Sequence, residues 1–285
     1  VGYITWLCSY FQKNEYDKVL FLARDGYLIK KMYDYSLKYI PSKYTMPNSI
    51  YFYFSRTIGI ALLSDDNILH NYAESLPYEG NLCDLEKNRF ISDKRILLEQ
   101  KNFFNKYIVS RKIDDLDRIA VVDFVSTGTC QMCIEELMNQ KCKGLYFMRL
   151  ADDFVRKQVL EIKPYYNDIQ TCYIEKYYLL LETIIKSHEG TVKGYNKSGM
   201  PIFKQDNRTL RQKEYLSEIQ RAVIDFYSVY LNIFRSVNAN LRPEFVDCLL
   251  GLIENIEFGV EFEEFRKLVM KDELSNRDIK YGDFI

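Results

Sequence analysis

Residues 119–131 read IAVVDFVSTGTCQ, and few structures accommodate that order of residue types. Ile119, Val121 and Val122 are β-branched and flank Ala120, the composition of a short strand buried on both faces. The apolar run meets a carboxylate at Asp123. A turn of small residues follows, Ser126-Thr127-Gly128-Thr129, and then a helical pattern through Met132, Cys133, Leu137 and Met138. A strand, an acid, a hydroxyl- and glycine-rich turn and a helix form a natural anion cradle. The turn supplies backbone N–H groups and hydroxyls, and the helix N-terminus adds partial positive charge. In an open α/β sheet that turn lies at the carboxyl end of the strands, where ligands bind. The plainer reading is a βα loop whose hydroxyls only cap the helix.

Two earlier segments repeat the pattern. Val19–Ala23 is a buried-strand run that ends in Arg24-Asp25-Gly26, followed by a helical stripe through Leu28, Ile29, Met32, Tyr33 and Leu37. Gly26 is expected to allow a positive φ. Ser49–Phe54 reads as another strand, ending in Ser55-Arg56, with a helix from near Thr57 through Ile60 and Leu63. Arg24 and Asp25 admit two readings. They are a local ion pair of little energetic weight, or an Arg fork for a diphosphate beside an Asp that holds a divalent metal. Three strands ending in Arg, Asp or hydroxyl groups favour convergence on one sheet edge. Gly144–Leu150 predicts a further strand, so residues 1–150 read as an α/β core. Residues 64–117 form a polar, helical insertion with Ile96, Leu97, Phe103, Phe104 and Tyr107 as its buried face.

Residues 151–285 read as mostly helical and packed on the core. Tyr177–Lys186 is an apolar helix with one acid, Glu182, which sits either at its solvent edge or at a site. Residues 191–204 form a hairpin with its turn at Asn196–Gly199. Leu216, Ile219, Val223, Phe226, Tyr230 and Phe234 make a helical core stripe, and Phe245–Ile256 and Phe258–Met270 are two further helical segments. Composition narrows the function classes. The 285 residues carry a net charge of −1 with no basic stripe, which argues against nucleic acid as a partner. Seven scattered cysteines predict reduced thiols and a cytoplasmic setting. Cys130 and Cys133 lack the second pair or His cluster that zinc requires. No apolar run reaches membrane-span length, and the start at Val1 predicts a piece of a longer polypeptide.

The stretch Val121–Thr129 is similar to the signature of type I phosphoribosyltransferases: a buried strand, an acid, then a Thr/Gly-rich loop opening a helix. It has Val122 where the first of two adjacent acids usually stands. A second resemblance covers residues 2–200. Phe21–Leu28 resembles FLxRDGxL, Tyr53-Phe54-Ser55-Arg56 resembles YxxxSR, and Asp123 through Gly128-Thr129-Cys130-Gln131 resembles VDxGxxGTxQ. Leu180-Leu181-Glu182 through Ser187, Gly190 and Gly194-Tyr195 resembles LLExxxSxxxGxxxGY. Val125 stands where that pattern often has Gly. These blocks are similar to a phosphoribosyltransferase-like module of bacterial surface-polysaccharide gene clusters, often fused to a HAD-type phosphatase and labelled HAD-like for that reason.

The resemblance implies a mainly parallel α/β sheet and a transferase moving ribofuranose 5-phosphate from phosphoribosyl diphosphate to a sugar hydroxyl. The acceptor would be a glycan, lipid-linked at the inner face of the membrane, with a phosphatase in cis or trans. In that reading Ser126, Thr127, Gly128 and Thr129 hold the 5-phosphate. Arg24 and Arg56, with Gly26 and Ser55 beside them, take the diphosphate. Asp25 binds Mg²⁺, Asp123 steadies the ribose hydroxyls, Glu182 is base or anchor, and Gln131 belongs to the donor loop. Two other classes compete. A HAD-like phosphatase would use Asp25 as nucleophile, although the expected D-x-D partner position holds Tyr27. A non-catalytic glycan- or nucleotide-binding module would use the same cradle without turnover.

Overall fold

The computed structural model describes residues 1–114, 117–166, 173–237, 241–252, 263, 267, 269–272 and 277–280. The chain enters through helix α1 (Gly2–Phe11), strand β1 (Lys18–Leu22) and helix α2 (Gly26–Ser36), and continues into β2 (Asn48–Phe52) and α3 (Arg56–Leu62). Three helices follow: α4 (Asn67–Ser75), α5 (Leu82–Arg89) and α6 (Lys94–Ser110). Then come β3 (Ile119–Ser126), α7 (Thr129–Met138), β4 (Cys142–Arg149), α8 (Asp153–Lys157) and β5 (Glu161–Tyr166). The five strands make one sheet in the order β2-β1-β3-β4-β5, every pair parallel.

Alternation along the strands explains the three layers. On β1, Val19 and Phe21 point into one apolar cluster with α1 and α2, and Leu20 and Leu22 point into the other with α3, α4, α6 and α7. On β3, Ala120 and Val122 join the first cluster, Ile119 and Val121 the second. A central parallel strand is covered on both faces, and its unbroken apolar run follows from that. The chain runs from β1 outward to β2 and returns to β3 on the other flank of β1. Such a reversal leaves a crevice at the carboxyl ends of the two diverging strands.

Beyond the sheet lie helix α9 (Tyr173–Ile185), the antiparallel hairpin β6 (Val192–Tyr195) and β7 (Pro201–Phe203), and helices α10 (Leu210–Phe234) and α11 (Pro243–Gly251). A second ribbon pairs β8 (Val269–Asp272) with β9 (Arg277–Lys280). The α/β class, the parallel sheet and the helical character after it agree with the sequence reading.

Several details differ. The sheet extends past residue 150, because β5 adds an edge strand. β3 is longer than its apolar run and includes Asp123, which pairs in register with Tyr146. On α10 the buried face is Leu216, Gln220, Tyr227 and Leu231, while Phe226 and Phe234 are exposed. Ile96 is likewise half exposed, its neighbour Leu97 being the buried residue of that turn. Of the expected segment Phe258–Met270, Val269 and Met270 begin β8; most of the remainder, like the end of the expected Phe245–Ile256 helix, lies outside the described residues. Among the described residues no helix is long and apolar enough to cross a membrane.

Candidate active site

Each of the first three strands delivers polar groups to the same crevice. β1 ends at Leu22, and the N–H of Ala23 still donates to the Phe52 carbonyl at 2.9 Å, so the turn stays tied to β2. The Ala23–Arg24 peptide is cis. Gly26 opens α2 without a positive φ. Its role is close approach, since a Cβ there would stand 2.8 Å from the Phe21 carbonyl carbon. After β2, Ser55 caps α3 by accepting the Ile58 N–H at 3.2 Å, which sets Arg56 at the helix start. After β3, Gly128 is the N-cap of α7 at φ 105°. Only glycine adopts that conformation freely, and a Cβ would also press on Ile162. Ser126 Oγ accepts the Gly128 N–H at 3.2 Å, and the Thr127 and Thr129 hydroxyls lie 2.8 Å apart.

These groups line a cavity of ≈ 290 Å³. Arg24, Asp25, Ser55, Arg56, Asp123, Ser126, Thr127, Thr129 and Glu182 all border it. Glu182 therefore faces the crevice and is not at the solvent edge of α9. Gln131 does not border the cavity. It is fully buried on α7, where its amide donates to Glu135 and the Cys142 carbonyl and its carbonyl accepts from the Tyr146 hydroxyl at 2.8 Å. In the motif around Gly128, Gln131 thus braces α7 against β4. Cys130 borders the cavity and Cys133 lies in the core.

Lys186, one turn after Glu182, organises the charges. Its ammonium stands 3.1 Å from Glu182 Oε1 and 3.8 Å from Asp25 Oδ1, and its side chain is 8% exposed. Burial pushes the Asp25 carboxyl well above the usual carboxylate range. Lys186 opposes that rise, while Glu182, by charge and by a hydrogen bond, and Asp123 reinforce it. Asp123 is raised to about 6, again first by burial. The Phe124 N–H, the Ser126 hydroxyl and the Arg56 charge pull it down, and Glu182 adds to the rise.

The last block of the sequence pattern acts as fastening. The Ser187 N–H donates to the Arg24 carbonyl at 3.2 Å, and the Tyr51 hydroxyl donates to Ser187 Oγ at 3.0 Å or to Glu189 at 2.8 Å. A Cβ on Gly190 would collide with the Lys204 carbonyl. Tyr195 is buried and donates to the Tyr53 carbonyl at 2.7 Å. These contacts hold α9 and the β6–β7 hairpin against the carboxyl ends of β1 and β2.

Sequence reasoning missed Lys186, Thr57, Tyr178 and Thr191, all of which border the cavity. The spacing Glu182…Lys186 was the available signal, because residues four apart share one helix face. It also missed the Tyr72 hydroxyl, which donates to Asp152 at 2.9 Å and lies 3.3 Å from Thr129 Oγ1.

Among the described residues no group of three or more His, Cys, Asp or Glu side chains is arranged to hold a metal by itself. Asp25 and Glu182 are nevertheless hard oxygen donors that share a hydrogen bond. Mg²⁺ takes one or two carboxylates of this kind beside substrate phosphates, and here the Lys186 ammonium already stands 3.1 Å from Glu182 and 3.8 Å from Asp25. Comparison with known protein families matches none of them, and comparison with curated proteins finds no significant similarity.

Proposed function

We propose that this chain is a phosphoribosyltransferase of glycosyl-transfer type, moving ribofuranose 5-phosphate from phosphoribosyl diphosphate to a sugar hydroxyl of a surface glycan. The observation that carries the reading is the convergence of Arg24, Arg56, Asp25, Asp123 and the Ser126–Thr129 turn on one cavity at the strand-order reversal. A donor with phosphate at one end and diphosphate at the other needs two anion sites flanking a polar centre. The N-terminus of α7 with its turn supplies one. Arg24 and Arg56 supply the other, with planar forks that match phosphate oxygens.

In the reaction the C1–O bond to diphosphate breaks, the acceptor oxygen bonds C1, and the acceptor proton leaves to a base. Arg24 and Arg56 take up the charge growing on the diphosphate. Asp123 holds the ribose hydroxyls beside the electron-poor C1. Glu182 orients the acceptor hydroxyl and receives its proton, with the Lys186 ammonium 3.1 Å away. Mg²⁺ bound at Asp25 would neutralise diphosphate charge when donor is present. Transfer to a lipid-linked acceptor at the inner membrane face belongs to the same reading.

A phosphatase mechanism with Asp25 as nucleophile has less support, because the position two residues on, where the second acid would stand, holds Tyr27, whose hydroxyl accepts from the Lys31 ammonium. The test is thermal stabilisation by phosphoribosyl diphosphate, with and without Mg²⁺, beside nucleotide sugars and a phosphatase substrate. Selective stabilisation by phosphoribosyl diphosphate that requires Mg²⁺ supports the transferase. A nucleotide-sugar response, or phosphate release from a simple phosphomonoester, overturns it. Donor binding with no turnover on any glycan acceptor returns the chain to the binding-module class.

A further inference from the structure

Each hydroxyl of the Ser126–Thr129 turn has one proton, and the contacts around the turn show where each proton goes. Asp152, the N-cap of α8, accepts the Val155 N–H on Oδ1 at 2.9 Å and the Tyr72 hydroxyl on Oδ2 at 2.9 Å. A carboxylate only accepts, so the single Tyr72 proton is committed to Asp152. The Tyr72 oxygen lies 3.3 Å from Thr129 Oγ1, which lies 2.8 Å from Thr127 Oγ1. For every contact to hold a proton, Thr129 must donate to Tyr72 and Thr127 to Thr129. Ser126 completes the set. Its hydroxyl bonds the Asp123 carboxylate, and its oxygen accepts the Gly128 N–H at 3.2 Å.

This chain of hydroxyls is well fixed. Thr129 and Tyr72 are buried, and the Phe154 ring stacks on Tyr72 at 4.2 Å. Tyr72 belongs to α4 and Asp152 precedes α8, so two elements outside the β3–α7 unit set the direction of the protons in its turn. The consequence falls on Thr127, which borders the cavity. Its proton is spent inside the protein, and its oxygen meets a ligand as an acceptor. The first N–H groups of α7, by contrast, have no intrahelical acceptor and favour negative charge. An anion that itself carries a proton satisfies both demands.

We infer that the turn is a hydrogen-phosphate site, holding a ligand's phosphate with one proton in place. Backbone N–H groups of α7 meet its charged oxygens, and the Thr127 oxygen accepts from its P–OH. Tyr72 and Asp152 are positioning residues that set this preference through Thr129. The inference rests on the transferase reading only in taking that phosphate to be the donor's 5-phosphate.

The probes are inorganic phosphate and sulfate, which share a shape and, near neutral pH, nearly a charge; only phosphate keeps a proton. Titrated calorimetrically into the full chain, phosphate should bind about tenfold or more tightly than sulfate, the worth of one hydrogen bond that sulfate cannot make. Asp152→Asn keeps an oxygen for the Val155 N–H and turns an amide toward Tyr72, which reverses the chain and points the Thr127 proton at the cavity. Sulfate binding should then strengthen, and the preference for phosphate should fall to about twofold or less. Tyr72→Phe, which breaks the chain, should lower the preference in the same direction. A merely structural role would weaken both anions alike.

Equal binding of the two anions by the parent, binding of neither, or an Asp152→Asn variant that keeps the full preference each overturns the inference. Ribose 5-phosphate that displaces phosphate places the group on an ester, and failure to displace it assigns the site to the free ion. Phosphoribosyl diphosphate separates this inference from the transferase reading. A phosphate preference without donor binding removes the donor and leaves the site. Donor binding that sulfate and phosphate compete away equally well removes the site and leaves the donor.

Discussion

The hydroxyl of Ser55 donates to the carbonyl of Val192 at 2.8 Å while accepting the Ile58 N–H at 3.2 Å. One side chain thus starts the helix that carries Arg56 and anchors the hairpin that closes the cavity. Ser55→Ala should cost about 1–2 kcal/mol, the usual range for a lost N-cap plus a partly buried hydrogen bond. The same variant should weaken donor binding, because Arg56 loses its register. Chemical denaturation and a donor titration measure the two effects, and an unchanged donor affinity would show that Arg56 is placed by other contacts.

Asp123 should oppose folding at neutral pH. Its carboxyl moves from 3.8 to about 6 on folding, a change worth roughly 3 kcal/mol. The native state then holds its proton more tightly than the unfolded chain. Stability from this group falls as pH climbs from about 4 to about 6 and is level above. Glu182, Asp25 and Arg56 face it, and Tyr3 bonds its backbone carbonyl at 2.9 Å. Asp123→Asn is therefore expected to be more stable than the parent at pH 7.5, to lose that advantage near pH 4, and to have no transfer activity. Melting curves across pH together with turnover decide it, and a variant that is less stable at pH 7.5 contradicts the assignment.

Lys186→Met should destabilise by about 2–4 kcal/mol, since it leaves buried acids without their counter-charge. Adding Glu182→Gln to it should recover part of the loss, because the carboxylate that needed the lysine is gone. Urea unfolding of the single and double variants gives the coupling directly. Purely additive effects would mean that the 3.1 Å contact contributes nothing.

Gly190→Ala places a methyl against the Lys204 carbonyl. Backbone on both sides leaves little room to relax, so a loss of about 2 kcal/mol or more is expected. Hydrogen exchange should report earlier opening of β6 and β7, with the sheet unaffected. Uniform loss of protection across both would contradict this local account.

Gln131→Leu tests a residue that the sequence pattern and the structure read differently. Its three buried partners lose hydrogen bonds, and stability should drop by about 1–3 kcal/mol. Donor affinity should stay within about twofold, which is under half a kcal/mol. A selective loss of donor binding at unchanged stability would restore the donor-loop role.

The sequence was legible where one physical cause dominated. β1, β3 and β4 announce themselves because burial on both faces demands an unbroken apolar run. Arg24, Asp25, Arg56 and Asp123 were found because they close such runs. β5 was not, since EIKPYY alternates exposed and half-buried positions before its two buried tyrosines and carries Pro164, as an edge strand can. Lys186 stayed hidden for a related reason. An acid and a lysine four apart read equally well as a solvated helix face, and only packing of α9 over the crevice gives the pair its setting. Phe226 and Phe234 mark the opposite error: their spacing fits a core stripe, yet α10 presents Tyr227 and Leu231 inward.

The cavity draws its walls from within residues 22–25, 55–57, 123–130 and 178–192, and from Leu150. No short stretch of chain holds enough of it to bind anything. Occupancy therefore acts as a tether among segments that meet only once the whole topology is in place. A ligand there should slow amide exchange along β2 and the hairpin as strongly as at the residues it touches, making those parts open as one cooperative unit.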